Sequence, residues 1–185
     1  RFAQLYNGPD VDGWTTTGFY RIRSHEAVIL WAEPWRTQAF ATALHEVSHL
    51  LTAWHLGPTP LWLNEGLAEH FETLDHQADA FRVSAEHLRT LHSKGPVNLD
   101  TLLGLSARTF ARDDAERNYA SAWALVAFLL DSESGRATFL GLLSAAHTRR
   151  CAPVSDVTPL LSRYPGGLEA LRTDWLCWIA EQSPA

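Results

Sequence analysis

RTQAFATALHEVSHLLTAWHL, residues 36–56, decides the reading of this chain. Phe40, Leu44, Val47, Leu51 and Trp54 recur in it at spacings of three and four, the period of an α-helix. Gly57-Pro58 then stops the run, so the stretch predicts one long helix. Inside it stands His45-Glu46-Val47-Ser48-His49. Positions i and i+4 of a helix lie one turn apart on one side, so both imidazoles can reach a single ion. Glu46 falls beside that ion rather than on it, where a carboxylate can take a proton from an activated water. The same letters also suit two half-buried histidines on an amphipathic helix with a solvated Glu between them, so a third ligand has to decide.

A catalytic zinc site takes three protein ligands and keeps one position open. The loop from Gly57 to Pro60 leads into Leu61–Thr73, where Leu63, Leu67 and Phe71 fall at i, i+4 and i+8 and predict a second helix. Asn64-Glu65-Gly66-Leu67-Ala68-Glu69-His70 offers the candidates. Glu65 comes 16 positions after His49 (65 − 49). Glu69 lies one turn further along on the same side, and His70 points elsewhere.

His45 to His49 followed by Trp62-Leu63-Asn64-Glu65-Gly66-Leu67-Ala68-Glu69 resembles the gluzincin zinc metallopeptidases, the peptidase MA-like family in particular, whose catalytic domain is thermolysin-like. In layout the resemblance runs from Gly18 to Leu130, and only the two helices are specific in letters. It implies one Zn2+ ion held by His45, His49 and Glu65, with Glu46 as general base. It implies that Asn64 and Glu69 belong to the shell behind the ligands, Glu69 fixing the ring of His45 by a hydrogen bond; as an ordinary solvated helix residue Glu69 needs no such role. Asn118-Tyr119-Ala120-Ser121-Ala122-Trp123-Ala124-Leu125 resembles the Tyr-containing helix of the same group, which nominates Tyr119 as a donor to the developing oxyanion. Core packing explains the stripe Tyr119, Trp123, Ala127 and Leu130 equally well. Two departures stand against aminopeptidase activity: the interval from His49 to Glu65 is shorter than in that branch, and a Gly-x-Met-Glu-Asn motif cannot occur in a chain without Met.

Working outward, Gly18–Arg23 and Glu26–Trp31 read as strands joined at Ser24-His25, a hairpin. Glu26–Trp31 suits an edge strand beside a cleft, open to an extended peptide, or an ordinary strand with Trp31 and Trp35 capping the core. Further helices are expected at Phe81–Ser93, Asn98–Leu105, Asn118–Leu130, Arg136–Arg149 and Leu168–Glu181. The expected fold is therefore α+β and predominantly α-helical. A small β-containing part (1–33) precedes the active-site helix and helical body (36–182) within one domain, 1–185.

Composition narrows the partners. A net charge of −6, with Lys94 the only lysine, argues against nucleic acid, whose phosphates demand Lys and Arg. The longest apolar run, Ala120–Leu130, is too short to span a bilayer. The chain opens on Arg1 and lacks Met, which reads as a processed protein or an excised domain; together with the scarcity of Lys and the habits of the resembled family this points to an extracytoplasmic, periplasmic or secreted, home. Cys151 and Cys177 suit either one disulfide or two buried thiols. His25, His55, His70, His76, His87, His92 and His147 read as surface or structural residues.

Three functions fit these letters. The first is a zinc metallopeptidase acting on peptide or protein. The others are a catalytically idle zincin-fold domain that binds a peptide or partner, and a zinc amidase acting on a non-protein amide such as peptidoglycan.

Overall fold

A computed structural model describes residues 18–21, 23–31, 36–75, 78, 80–152 and 156–183. The described residues are mostly helical with small antiparallel sheets, as the sequence leads one to expect. Strands β1 (Gly18–Arg21) and β2 (Glu26–Ile29) form a hairpin in which Gly18 pairs with Ile29 and Arg21 with Glu26. His25 closes its turn with a left-handed φ of 52°. Helix α1 (Arg36–His55) carries the His-Glu-x-x-His motif and α2 (Leu61–Glu72) carries Glu65. A second hairpin follows, β3 (Leu74–Asp75) with β4 (Ala80–Phe81). Then come α3 (Ala85–Lys94), α4 (Leu99–Gly104), α5 (Ala107–Arg112), α6 (Ala115–Asp131), α7 (Glu133–Thr148), α8 (Thr158–Leu161) and α9 (Gly167–Glu181).

Helix starts follow local capping chemistry. The hydroxyl of Ser84 accepts from the His87 N–H, Asn98 Oδ1 from the N–H groups of Asp100 and Thr101, and Ser132 Oγ from the Gly135 N–H. The Ser84 cap explains why α3 begins at Ala85 and not at Phe81, which pairs in β4 instead. Ser132 likewise starts α7 at Glu133, ahead of the expected Arg136.

The core is assembled around α6, whose residues from Ala120 to Val126 are all buried. Against it pack Trp62, Leu63 and Leu67 of α2, Leu88 and Leu91 of α3, Phe139 and Leu142 of α7, and Leu171, Trp175 and Ile179 of α9. The α2 and α6 backbones approach closely because Gly66 has no side chain: a Cβ there would lie 2.5 Å from the Ala122 carbonyl oxygen and 2.8 Å from Val126 Cγ2.

Helix α1 is the exception. Its buried residues are Ala39, Thr42, Glu46, Ser48 and Thr52. Three members of the apolar stripe that marks it as a helix face outward, with Val47 39%, Leu51 49% and Trp54 68% exposed. The apolar period gives the right element, and its polar side faces inward. Trp31 does not cap the core, being 57% exposed; Trp35 and His76 lie outside the described residues. Both cysteines are free and exposed, so neither a bridge nor burial describes them. No helix is long and apolar enough to cross a membrane among the described residues.

Candidate metal centre

The α1–α2 seam brings three side chains together. His45 Nε2 lies 3.9 Å and His49 Nε2 3.7 Å from the same oxygen, Oε2 of Glu65. All three ligand atoms lie within 4.8 Å of one another, so the group could hold a metal ion. In a tetrahedral site with bonds near 2.1 Å, ligand atoms stand about 3.4 Å apart, so a small inward movement closes the set. Helical spacing accounts for the pairing of the imidazoles, whose rings meet edge to face with centroids 4.9 Å apart. Close packing of α2 on α6 fixes Glu65 opposite them.

Behind the ligands, the other nitrogen of His45 faces a second acidic group. Its Nδ1 donates to Glu72 Oε2 at 3.1 Å. Glu69, nominated from the resemblance for that bond, has Oε1 3.6 Å from Nδ1 and gives its other oxygen to His87 Nε2 at 2.8 Å. Glu65, Glu69 and Glu72 share one side of α2, at i, i+4 and i+7, and the approach of α1 puts the last of them nearest. His45, Glu69 and Glu72 also form a metal-binding geometry of their own. Because they converge on the far side of the His45 ring, their place is that of acceptors orienting this ligand.

Burial and mutual charge dominate the electrostatics. Burial disfavours a proton on His45, but the Glu72 hydrogen bond and the charges of Glu69, Glu72 and Glu46 outweigh it and lift the pKa to about 9. His49 is pushed down to about 4 by burial and by the His45 charge, with Asn64 and Glu69 acting the other way. Burial lifts Glu65 to about 7, opposed by His45 and reinforced by Glu69 and Glu46. Glu46 is raised too, by burial first, with His45 opposing and Glu72 adding. Asn64 thus sits close enough to influence His49, although His49 Nδ1 is buried with no hydrogen-bond partner.

Tyr119, on α6, lies within the electrostatic reach of the same carboxylates. Burial, and then the charges of Glu65, Glu69 and Glu46, hold its hydroxyl well above the ordinary tyrosine value, while its ring stands edge-on to Phe110 at 4.9 Å. A groove of about 640 Å³ is lined in part by Trp31, Phe40, Glu72 and Arg82.

The remaining histidines divide. His92 meets the Ile179 carbonyl and His147 the His55 carbonyl, both structural contacts. His70 stacks on Phe81 at 4.3 Å, and burial lowers it to about 4. His87 and His25 instead belong to the surroundings of the centre, the first through Glu69 and the second through Tyr20. Glu72, Tyr20 and His87 escape a reading of the letters; for Glu72 the i+7 spacing from Glu65 was the available signal.

Neither models of protein families, nor curated proteins, nor solved structures match this chain.

Proposed function

We propose that this protein is a zinc-dependent metallopeptidase of the gluzincin type with a thermolysin-like arrangement of its catalytic helices. The observation that carries the reading is the convergence of His45 Nε2, His49 Nε2 and Glu65 Oε2, with buried Glu46 on the same helix. Two imidazoles and one carboxylate are a donor set that suits zinc and leaves a position for water.

When bound, zinc supplies a Lewis acid that acidifies water and polarises a carbonyl. Glu46 takes a proton as the water oxygen bonds to the scissile carbonyl carbon, then passes it to the amide nitrogen as the carbon–nitrogen bond breaks. Burial, the first cause of its raised pKa, makes it a stronger base than an exposed carboxylate. The Tyr119 hydroxyl, held protonated far above neutral pH, donates to the tetrahedral oxyanion. Glu72 orients His45 throughout.

The test is metal analysis of wild type beside His49→Ala, followed by a chelator-sensitive assay on a mixed peptide library with Glu46→Gln as control. One equivalent of zinc in wild type, its loss in His49→Ala and hydrolysis abolished in Glu46→Gln are the expected results. No zinc in wild type, or full activity in Glu46→Gln, overturns the proposal. The open apolar side of α1, with Leu51 and Trp54 exposed, favours one second reading, a peptide-binding domain of the same fold. Zinc bound without turnover would select it.

A further inference from the structure

The two histidines of the centre are held differently at Nδ1, although Asn64 also acts on the His49 ring. His45 gives Nδ1 to Glu72 at 3.1 Å, whereas His49 Nδ1 is buried and unpartnered. A metal-ligating histidine normally has its second nitrogen held, which fixes the ring. With Nδ1 unheld, packing has to join Asn64 in stopping the ring from turning.

Tyr20 supplies the packing. Its ring stands beside that of His49 in an offset stack, centroids 6.5 Å apart and planes 29° from parallel, while the His45 ring meets His49 edge-on. Tyr20 is itself held: its hydroxyl and His25 Nδ1 are hydrogen-bonded at 2.9 Å. His25, in the left-handed turn, stands edge-on to Trp54 at 6.3 Å. Trp54 belongs to α1 as His49 does, so the chain of contacts starts and ends on the active-site helix.

Strand geometry points the same way. Alternation puts Gly18 and Tyr20 on one face of β1. A Cβ on Gly18 would lie 2.4 Å from Thr42 Cγ2 and 3.1 Å from Glu46 Cγ, so the missing side chain is what lets the strand down onto α1. Thr42, Glu46 and His49 form one side of that helix at i, i+4 and i+7. The strand therefore runs along the general base and the second ligand together.

We infer that Tyr20 is a positioning residue for His49, doing by ring packing what Glu72 does for His45 by a hydrogen bond, with Gly18 and His25 setting its height and direction. This rests on the metal-centre reading given above.

The test compares zinc affinity, by competition with a chromophoric chelator, in wild type, Tyr20→Phe, Tyr20→Ala and Tyr20→Leu. The absorption spectrum of the cobalt-loaded proteins reports ligand geometry, and the melting temperature of the metal-free proteins reports folding. Tyr20→Ala is expected to lose about tenfold or more in affinity, at the lower end of the range for outer-shell changes, and to shift the cobalt bands. Tyr20→Phe keeps the ring but loses the His25 bond and should fall between wild type and Tyr20→Ala; Tyr20→Leu keeps bulk without a flat face and should still lose affinity. Wild-type affinity and spectrum in both Tyr20→Ala and Tyr20→Leu overturn the inference, as does a loss in Tyr20→Phe equal to that in Tyr20→Ala. Failure of the metal-centre reading looks different, since wild type itself would then bind no zinc.

Discussion

Gly66→Ala should destabilise the protein although the residue lies in the middle of a helix, where the same change ordinarily helps. Gly in a helix interior costs about 0.5–1 kcal/mol relative to Ala, so replacing it normally gains that amount. At Gly66 the added Cβ would stand 2.5 Å from the Ala122 carbonyl oxygen and 2.9 Å from its carbonyl carbon, both backbone atoms of α6. Reaching ordinary contact requires α2 and α6 to part by about 0.9 Å, and interiors packed at crystal density resist that. Overpacking of this kind costs about 1–3 kcal/mol; set against the helix gain of about 0.5–1 kcal/mol it leaves a net loss of up to about 2.5 kcal/mol. For a chain of this size that is a fall in melting temperature of up to about 10 °C. Gly141, in α7, is the internal control: a Cβ there meets nothing within 4 Å, so Gly141→Ala should raise stability by about 0.5–1 kcal/mol. Urea melts of the two variants beside wild type read both signs. If Gly66→Ala stabilised the protein as much as Gly141→Ala, the close approach of α2 and α6 would be refuted, and with it the account of how Glu65 is held opposite the histidines.

Two further outcomes follow from the site. Glu72→Gln should weaken zinc binding by about 10–100-fold and Glu69→Gln by less, because Glu72 makes the 3.1 Å bond to His45 while Glu69 stands 3.6 Å away and is engaged with His87; chelator competition measures both, and the reverse order would sink the assignment. Tyr119→Phe should lower kcat about 10²–10³-fold with zinc content and melting temperature unchanged, since only the hydroxyl is lost and the ring keeps its place against Phe110. Activity within twofold of wild type would return Tyr119 to a purely packing role.

How much of this was legible beforehand depended on the range of the signal. The long helices announce themselves because apolar residues recur with the helical period and caps stand at their ends. Ser84 and Ser132 were readable too, and they correct the starts of α3 and α7 by a few residues. The elements α5, α8 and the β3–β4 hairpin, two to six residues long, were not legible; β1, β2 and α4 are as short but are marked off by turn and capping residues. At the site, His45, Glu46 and His49 are fixed by spacing within one helix, and Glu65 by the neighbouring one. Glu72 and Tyr20 depend on how α2 and β1 lie against α1, which is tertiary information no local pattern carries.

The inverted orientation of α1 connects the fold to the site. A surface helix normally turns its apolar stripe inward and is held there by burial. Here Thr42, Glu46, Ser48 and Thr52 face inward and Val47, Leu51 and Trp54 face out, so hydrophobic burial contributes little to docking this helix. The seam with α2 is instead polar, made by His45 with Glu72 and Glu69 and by His49 with Glu65. Four carboxylates, those of Glu46, Glu65, Glu69 and Glu72, crowd around these two rings; against burial, the Glu72 hydrogen bond and then the charges of Glu69, Glu72 and Glu46 lift His45 to a pKa of about 9. A concentration of negative charge in a half-buried seam is unfavourable unless a cation compensates it. Without metal the His45 imidazolium fills that need; a divalent ion held by the Nε2 atoms and Glu65 would take the place of the Nε2 proton, leave Nδ1–H on Glu72 and tie α1 to α2. An inward-facing polar side that is a defect in an ordinary amphipathic helix is thus the arrangement a metal-bridged pair of helices requires.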